Sequence, residues 1–204
     1  MSAPQDRTDA GKVAATRAPA AAGGRAWTFG DNLDTDVLAP GLYMKFGIDE
    51  IARHCLESVR PEFAAQVRPG DVVVGGRNFG VGSSREQAPQ ALKHLGVAAV
   101  IAQSYSGLVY RNALNLGLAV VVCRDARKIE DGDTVRVDPE KGVITVASAL
   151  MRLACEPIPP FLMAMLRDGG LLPHLEKRLK QGRAGGHKDS YKDRPEDSHK
   201  EKQS

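Results

Sequence analysis

Cysteine is scarce. The chain has three, Cys55, Cys123 and Cys155, far apart and with no Cys-x-x-Cys pair. That spacing argues against a disulfide framework and against the common metal and redox motifs, and points to reduced, structural thiols in a cytoplasmic protein. Long apolar runs are missing too. Nothing approaches the roughly 20 consecutive apolar residues that a membrane span needs, so no membrane association is expected. Charge of one sign is also lacking: the net charge is +3 and bases alternate with acids, without the concentrated positive field by which proteins hold nucleic acid. Residues 1–25 are rich in Ala with scattered Arg, but they have no continuous apolar core and contain Asp6 and Asp9, which sets them apart from a secretory signal. No internal repeat is visible.

What remains is an ordinary globular composition, 42% hydrophobic and 26% charged over 204 residues, enough for one domain with a substantial core. Composition shifts at two places. Before Gly23 and Gly24 the chain reads as an extension, disordered over 1–25; beyond Leu179 apolar residues nearly vanish, and the segment 181–204, with six Lys or Arg against five Asp or Glu, reads as a solvated charged tail. The folded part is then 26–180. Within it Trp27 to Phe29 and Val72 to Val74 read as strands, Gln87 to Leu95 as a helix, Ala98 to Ile101 as a strand, Tyr110 to Leu116 as a helix closed by Gly117, and Leu118 to Val122 as a strand. Short unbroken apolar strands alternating with amphipathic helices indicate an α/β layer with a parallel sheet. Thr134 to Val137 and Val143 to Val146 flank a turn-rich stretch and read as a hairpin. Helices around Phe161 to Arg167 and Leu171 to Lys180 finish the domain.

Two loops carry chemistry. The first is Gly80-Val81-Gly82-Ser83-Ser84-Arg85-Glu86, between the second strand and a helix expected to begin near Arg85. Glycines allow close backbone approach, a helix N-terminus offers free N–H groups, the serines add hydroxyls, and Arg85 presents a planar fork matched to a carboxylate. The competing reading is local: Ser83 caps the helix and Glu86 closes a Ser-x-x-Glu capping box. A dinucleotide fingerprint fails because Arg85 stands where the third Gly belongs, and neither serine lies in Gly-x-Ser-x-Gly. The second loop is Gly30-Asp31-Asn32-Leu33-Asp34-Thr35-Asp36-Val37-Leu38-Ala39-Pro40. Its acids lack the spacing and the closing glutamate of a calcium loop, so metal is not expected there, and the plain reading is an Asp-rich turn.

These segments, with Asn78-Phe79 before the first, Gln87-Ala88-Pro89 after it, and Tyr110-Arg111-Asn112 with Asn115-x-Gly117 further on, resemble the ordered motifs of the isopropylmalate dehydratase small subunits of the aconitase family, over roughly 27–180. The resemblance implies a three-layer β/β/α swivelling domain. It also implies a partner, a large subunit carrying a [4Fe-4S] cluster, in a heterodimer or heterotetramer that removes and restores water on a small hydroxy acid, the cluster acting as Lewis acid; no cluster ligands are expected in this chain. By the same resemblance Ser83 stands at the catalytic base and Asp36 at an acidic active-site position, Ser84 and Arg85 at substrate-carboxylate contacts, and Lys45 and Phe46 in a loop facing the variable part of the substrate.

Three positions depart from the family pattern. Val81 replaces a frequent Cys or Glu, Lys45-Phe46 replace Arg-Thr, and Ser106-Gly107 replace Ala-Arg. The first leaves the reaction untouched; the other two bear on which acid is used. A bulky apolar Phe46 favours an alkyl-substituted malate, as in 3-isopropylmalate dehydratase of leucine biosynthesis. The alternatives are a related dehydratase acting on dimethylmalate, citraconate or homoaconitate, and a swivelling domain that only binds or regulates.

Overall fold

A computed structural model of the chain describes residues 23–185. Most of the expected N-terminal extension and C-terminal tail, 1–22 and 186–204, lies outside the described residues. The elements are β1 (Gly24–Thr28), α1 (Thr35–Leu38), a 3₁₀ helix (Gly41–Phe46), α2 (Ile48–Arg53), α3 (Phe63–Gln66), β2 (Val72–Gly75), α4 (Gln87–His94), β3 (Ala99–Ala102), α5 (Gly107–Leu116), β4 (Ala119–Val122), a 3₁₀ turn (Ala126–Lys128), β5 (Thr134–Asp138), β6 (Val143–Val146), β7 (Met151–Ala154), α6 (Pro160–Arg167) and α7 (Leu171–Gly185). The expected β-α-β-α-β run and the hairpin are present within a residue or three of their predicted ends. Among the described residues the first strand starts at Gly24 and the last helix runs to Gly185.

One sheet of order β4-β3-β2-β1-β5-β6-β7 spans the domain. β1 to β4 are mutually parallel, and β1 turns the sheet over by pairing antiparallel with β5. Residue type follows this division. β2 (VVVG) and β3 (AVIA) are buried along their whole length, whereas β5 and β6 alternate between buried and more exposed positions, the contrast expected between a covered parallel layer and an antiparallel layer with one wet face. α4 packs on α1, α2 and α5, and α5 packs on α6 and α7, forming one helical layer. The curled sheet and these helices make up the three-layer β/β/α arrangement.

Asp71, at the mouth of β2, is a buried carboxylate that ties the layers together. It accepts from Arg25 N at 3.0 Å, from the fully buried Trp27 Nε1 at 3.0 Å and from Arg68 N at 2.9 Å. The indole N–H of Trp27, buried with its ring, would otherwise lose water on folding without replacement.

Candidate active site

Parallel strands deliver their C-terminal ends to one edge of the sheet, where the loops after β1, β2 and β3 must meet. They are bonded to one another backbone to backbone. Asn32 N donates to Arg77 O at 2.7 Å, Gly80 N to Leu33 O at 2.7 Å and Thr35 N to Val81 O at 2.9 Å, and Phe79 N and Ser106 N exchange bonds with the third loop through Ser104 O and Phe79 O at 2.9 Å each. Asn32 and Asn78 both take a left-handed turn, φ 57° each, and their side chains join through Asn78 Nδ2 and Asn32 Oδ1 at 2.9 Å; Asn tolerates this conformation better than most residues. Gly80 (φ 74°) is obligatory for a second reason: a Cβ there would stand 2.5 Å from Val109 Cγ2 of α5.

The three acids of the Asp-rich loop separate by role. Asp31 accepts from Arg77 N and from the guanidinium groups of Arg77 and Arg127, which hold its carboxyl far below the usual carboxylate range, Arg127 most of all. Asp34 caps α1 by accepting from Val37 N at 2.8 Å. Of the three carboxylates, Asp36 is the one that pairs with Arg85, through Nη1. Asp31 and Asp34 are therefore committed to structure.

Ser83 is not a helix cap. α4 begins at Gln87, its N-cap is Glu86, and no side chain caps it, so the Ser-x-x-Glu box does not form. Ser83, Ser84 and Arg85 instead lie in irregular chain ahead of the helix, which begins at Gln87 as its apolar spacing indicates. What holds Ser83 is Thr35, the fully buried first residue of α1: Ser83 N donates to Thr35 Oγ1 at 3.1 Å, and the two hydroxyl oxygens lie 3.1 Å apart. Asn112 Nδ2, from α5, donates to Ser84 O at 3.3 Å. Arg85 Nη1 also points to Ala39 O at 3.4 Å, while its Nη2 has no hydrogen-bond partner among the described residues. Ser83, Arg85 and Asp36 are thus brought together from two loops, with Ser84 beside them. Sequence reading did not single out Thr35 or Asn112 for a role, although both stand inside motifs it had isolated.

Lys45 and Phe46 end the 3₁₀ helix that leaves this site. A Cβ on its first residue, Gly41, would lie 3.6 Å from Arg85 Nη2 and 3.7 Å from Asp36 Oδ1, so the helix starts on the ion pair. Lys45 Nζ lies 4.9 Å from the centre of the Phe46 ring, and both side chains face solvent. The site has no roof: Ser83 and Ser84 are exposed, as are the apolar side chains of Leu42, Phe46, Val81 and Leu108. A groove of about 410 Å³ elsewhere is lined by Asp49, Ala52, Arg53, Ala64, Ala65, His94 and Leu95 and contains none of these residues.

Known proteins show the same arrangement of chain. The aconitase C-terminal domain profile matches residues 57–125. A methanogen homoaconitase small subunit from Methanothermobacter thermautotrophicus is 49% identical over 79% of this chain and 95% of its own length. A 3-isopropylmalate dehydratase small subunit from Archaeoglobus fulgidus is 51% identical over 73% of this chain and 93% of its own. The crystal structure of a 3-isopropylmalate dehydratase from Methanocaldococcus jannaschii matches with a TM-score of 0.76 at 40% identity, covering 80% of this chain and 98% of that one. With such identity over nearly the full length of those relatives, and with the β/β/α fold in common, the chain belongs to the aconitase family, among the small subunits of the 3-isopropylmalate dehydratase and homoaconitase type.

Proposed function

We propose that this chain is the small subunit of a heteromeric hydro-lyase that moves water between adjacent carbons of a hydroxy dicarboxylic acid, with 3-isopropylmalate dehydratase as the leading assignment. The observation that carries it is the exposed half-site: a hydroxyl and a guanidinium from one loop, each held by a residue of the other, on an unroofed surface where Val81 of the same loop is also exposed. Chemistry of this kind needs water excluded, and a second protein surface supplies that exclusion. That partner is a large subunit in a heterodimer or heterotetramer. The cysteines of this chain do not suit a cluster: Cys55 and Cys123 sit wholly buried in the core. The [4Fe-4S] cluster belongs to the large subunit. Free thiols suit a cytoplasmic location.

In this reading Ser83 Oγ takes the proton from the carbon next to the departing hydroxyl. A serine hydroxyl is a weak base unless its alkoxide is stabilised. Thr35 Oγ1 accepts the Ser83 N–H, which leaves its own proton free to be donated to Ser83 Oγ, the direction that stabilises the alkoxide. Arg85 keeps Nη2 for a substrate carboxylate while Nη1 stays on Asp36, and the charge of Arg85 offsets the negative charge that grows as the proton leaves. Ser84 adds a donor for the same carboxylate.

The test is co-expression with the cluster-bearing large subunit, anaerobic reconstitution, and an ultraviolet assay for the unsaturated acid. Ser83→Ala is expected to assemble normally and lose roughly two to four orders of magnitude in turnover. Arg85→Lys is expected to act mainly on KM, because an ammonium does not reproduce a bidentate fork. Turnover by the chain alone, or full activity in Ser83→Ala, would overturn the assignment.

A further inference from the structure

The 3₁₀ helix Gly41–Phe46 carries Lys45 and Phe46 and buries none of its own residues fully; Tyr43 and Met44 pack partly against the core, and Lys45 and Phe46 are exposed. A second hold on this helix is Tyr43 against His54. Their rings stack face to face, centroids 3.6 Å apart and planes within 6°. His54, at the C-terminal end of α2, is itself gripped on both sides: Nδ1 lies 2.5 Å from Glu57 Oε2 and Nε2 lies 3.3 Å from Glu50 Oε1. Ionised carboxylates only accept, and a neutral imidazole has one N–H, so both contacts are hydrogen bonds only when the ring is the doubly protonated cation. A cation lying on a tyrosine face is attracted by the ring as well as packed on it.

The platform is tied to the candidate active site by a backbone hydrogen bond. Leu56 N, two residues beyond His54, donates to Val37 O at 2.9 Å, so the turn after α2 is bonded to the residue next to Asp36. The 3₁₀ helix therefore starts at the Asp36–Arg85 pair and is pinned again, midway along, by His54.

We propose that His54 is a positioning residue for substrate selection: as a cation between Glu50 and Glu57 it clamps Tyr43 and so fixes Lys45 and Phe46 over the variable end of the substrate. This rests on the dehydratase reading for its consequence and on geometry alone for the clamp. The groups facing the imidazole are Glu50 and Glu57 from its own segment and Tyr43 from the 3₁₀ helix; Arg53 sits behind Glu50, 2.7 Å from Oε2. The Glu57 hydrogen bond and charge raise the imidazole above its ordinary 6.5 despite desolvation, and Glu50 adds to this. The clamp is therefore complete below that ordinary value and is lost as pH rises past the raised one.

Two measurements separate the clamp from its consequence. Amide exchange at residues 41–47 of the full-length chain should be at least fivefold faster in His54→Ala and intermediate in His54→Phe, which keeps a stacking ring but makes neither glutamate contact; equal exchange in all three would overturn the clamp. In the reconstituted complex, His54→Ala should raise KM about tenfold with kcat within threefold and compress the ratio of kcat/KM between isopropylmalate and homoaconitate. The wild-type KM should climb at alkaline pH while that of His54→Phe stays level. Kinetic constants of His54→Ala within twofold of wild type, or a loss seen only in melting temperature, would overturn the positioning role. A wild-type complex that turns over none of isopropylmalate, homoaconitate, dimethylmalate and citraconate, with loop exchange responding as expected, would instead sink the dehydratase reading.

Discussion

Thr35→Val tests whether Ser83 acts as a held base or only as a loop residue. The replacement keeps the shape of a fully buried side chain and deletes one oxygen, the atom that binds both Ser83 N and Ser83 Oγ at 3.1 Å. Ser83 faces solvent, so its released N–H can be rehydrated, and the loss of folding stability should be about 1 kcal/mol or less, the net worth of one ordinary hydrogen bond. Turnover should suffer more. Two bonds of about 0.5 to 1.5 kcal/mol each hold the hydroxyl in place, together about 1 to 3 kcal/mol. If that orientation is needed only in the transition state, the cost appears in kcat as roughly a 5- to 150-fold loss, with KM steady because Arg85 and Ser84 still bind substrate. The assay is steady-state kinetics of the reconstituted complex, with Thr35→Ser as control: it keeps the oxygen and loses a buried methyl, so it should lose about 1 kcal/mol of stability while retaining most of kcat. A Thr35→Val complex with kcat within twofold of wild type, or a Thr35→Ser complex equally impaired, would refute the argument.

Other expectations follow from the same contacts. Asp71→Ala removes the acceptor of three donors, strands the indole N–H of buried Trp27, and should cost about 2 to 4 kcal/mol, read as a fall of roughly 5 to 15 °C in a melt followed by Trp27 fluorescence, with Asp71→Asn recovering part of it. Asp131 is held at about 2, below its ordinary 3.8, chiefly by the two-pronged Arg60 contact at 2.5 and 2.8 Å. A depressed carboxylate stabilises above its unfolded value and loses that contribution as pH falls through its folded one. About a third of the Asp131 side chain is exposed, so the stability difference between wild type and Asp131→Asn should shrink by only about 1 kcal/mol between pH 5 and pH 2, after allowing for solvent screening. Lys45→Arg with Phe46→Thr should reorder kcat/KM among isopropylmalate, dimethylmalate and homoaconitate by about 1 to 3 kcal/mol, the scale of a methylene misfit; an unchanged ranking would remove this loop from substrate selection.

Local pattern was enough for the repeating elements. Apolar runs such as Val72 to Val74 and Ala98 to Ile101 can only be covered strands, the helical spacing of Ala88, Ala91 and Leu92 can only face a core, and Gly117 closes α5 in the left-handed conformation, φ 81°, that glycine permits. The elements that sequence reading passed over are short: α1, α2 and α3 have four to six residues, and β7 has four. One turn of helix has too few positions to show a period, and its stability comes from tertiary contacts.

The site divides in the same way. Glycines, serines and an arginine in one loop, and three aspartates in another, were legible as chemistry, and their order along the chain was enough to suggest the family. Which aspartate meets Arg85 was not legible from the loop alone, because all three lie within six residues and differ only in what folds against them: Arg77 and Arg127 close on Asp31, the first turn of α1 takes Asp34, and Asp36 is left for Arg85. The choice between Ser83 as cap and Ser83 as free hydroxyl was likewise open in sequence, since Ser-x-x-Glu satisfies both. It was decided by Thr35, 48 residues away, whose buried oxygen occupies Ser83 and leaves the helix to begin at Gln87 without it. Residue types and local spacing set what each segment can bond; contacts between distant segments, which depend on how the parallel strands stack their loops at one edge, decide which of those bonds are made.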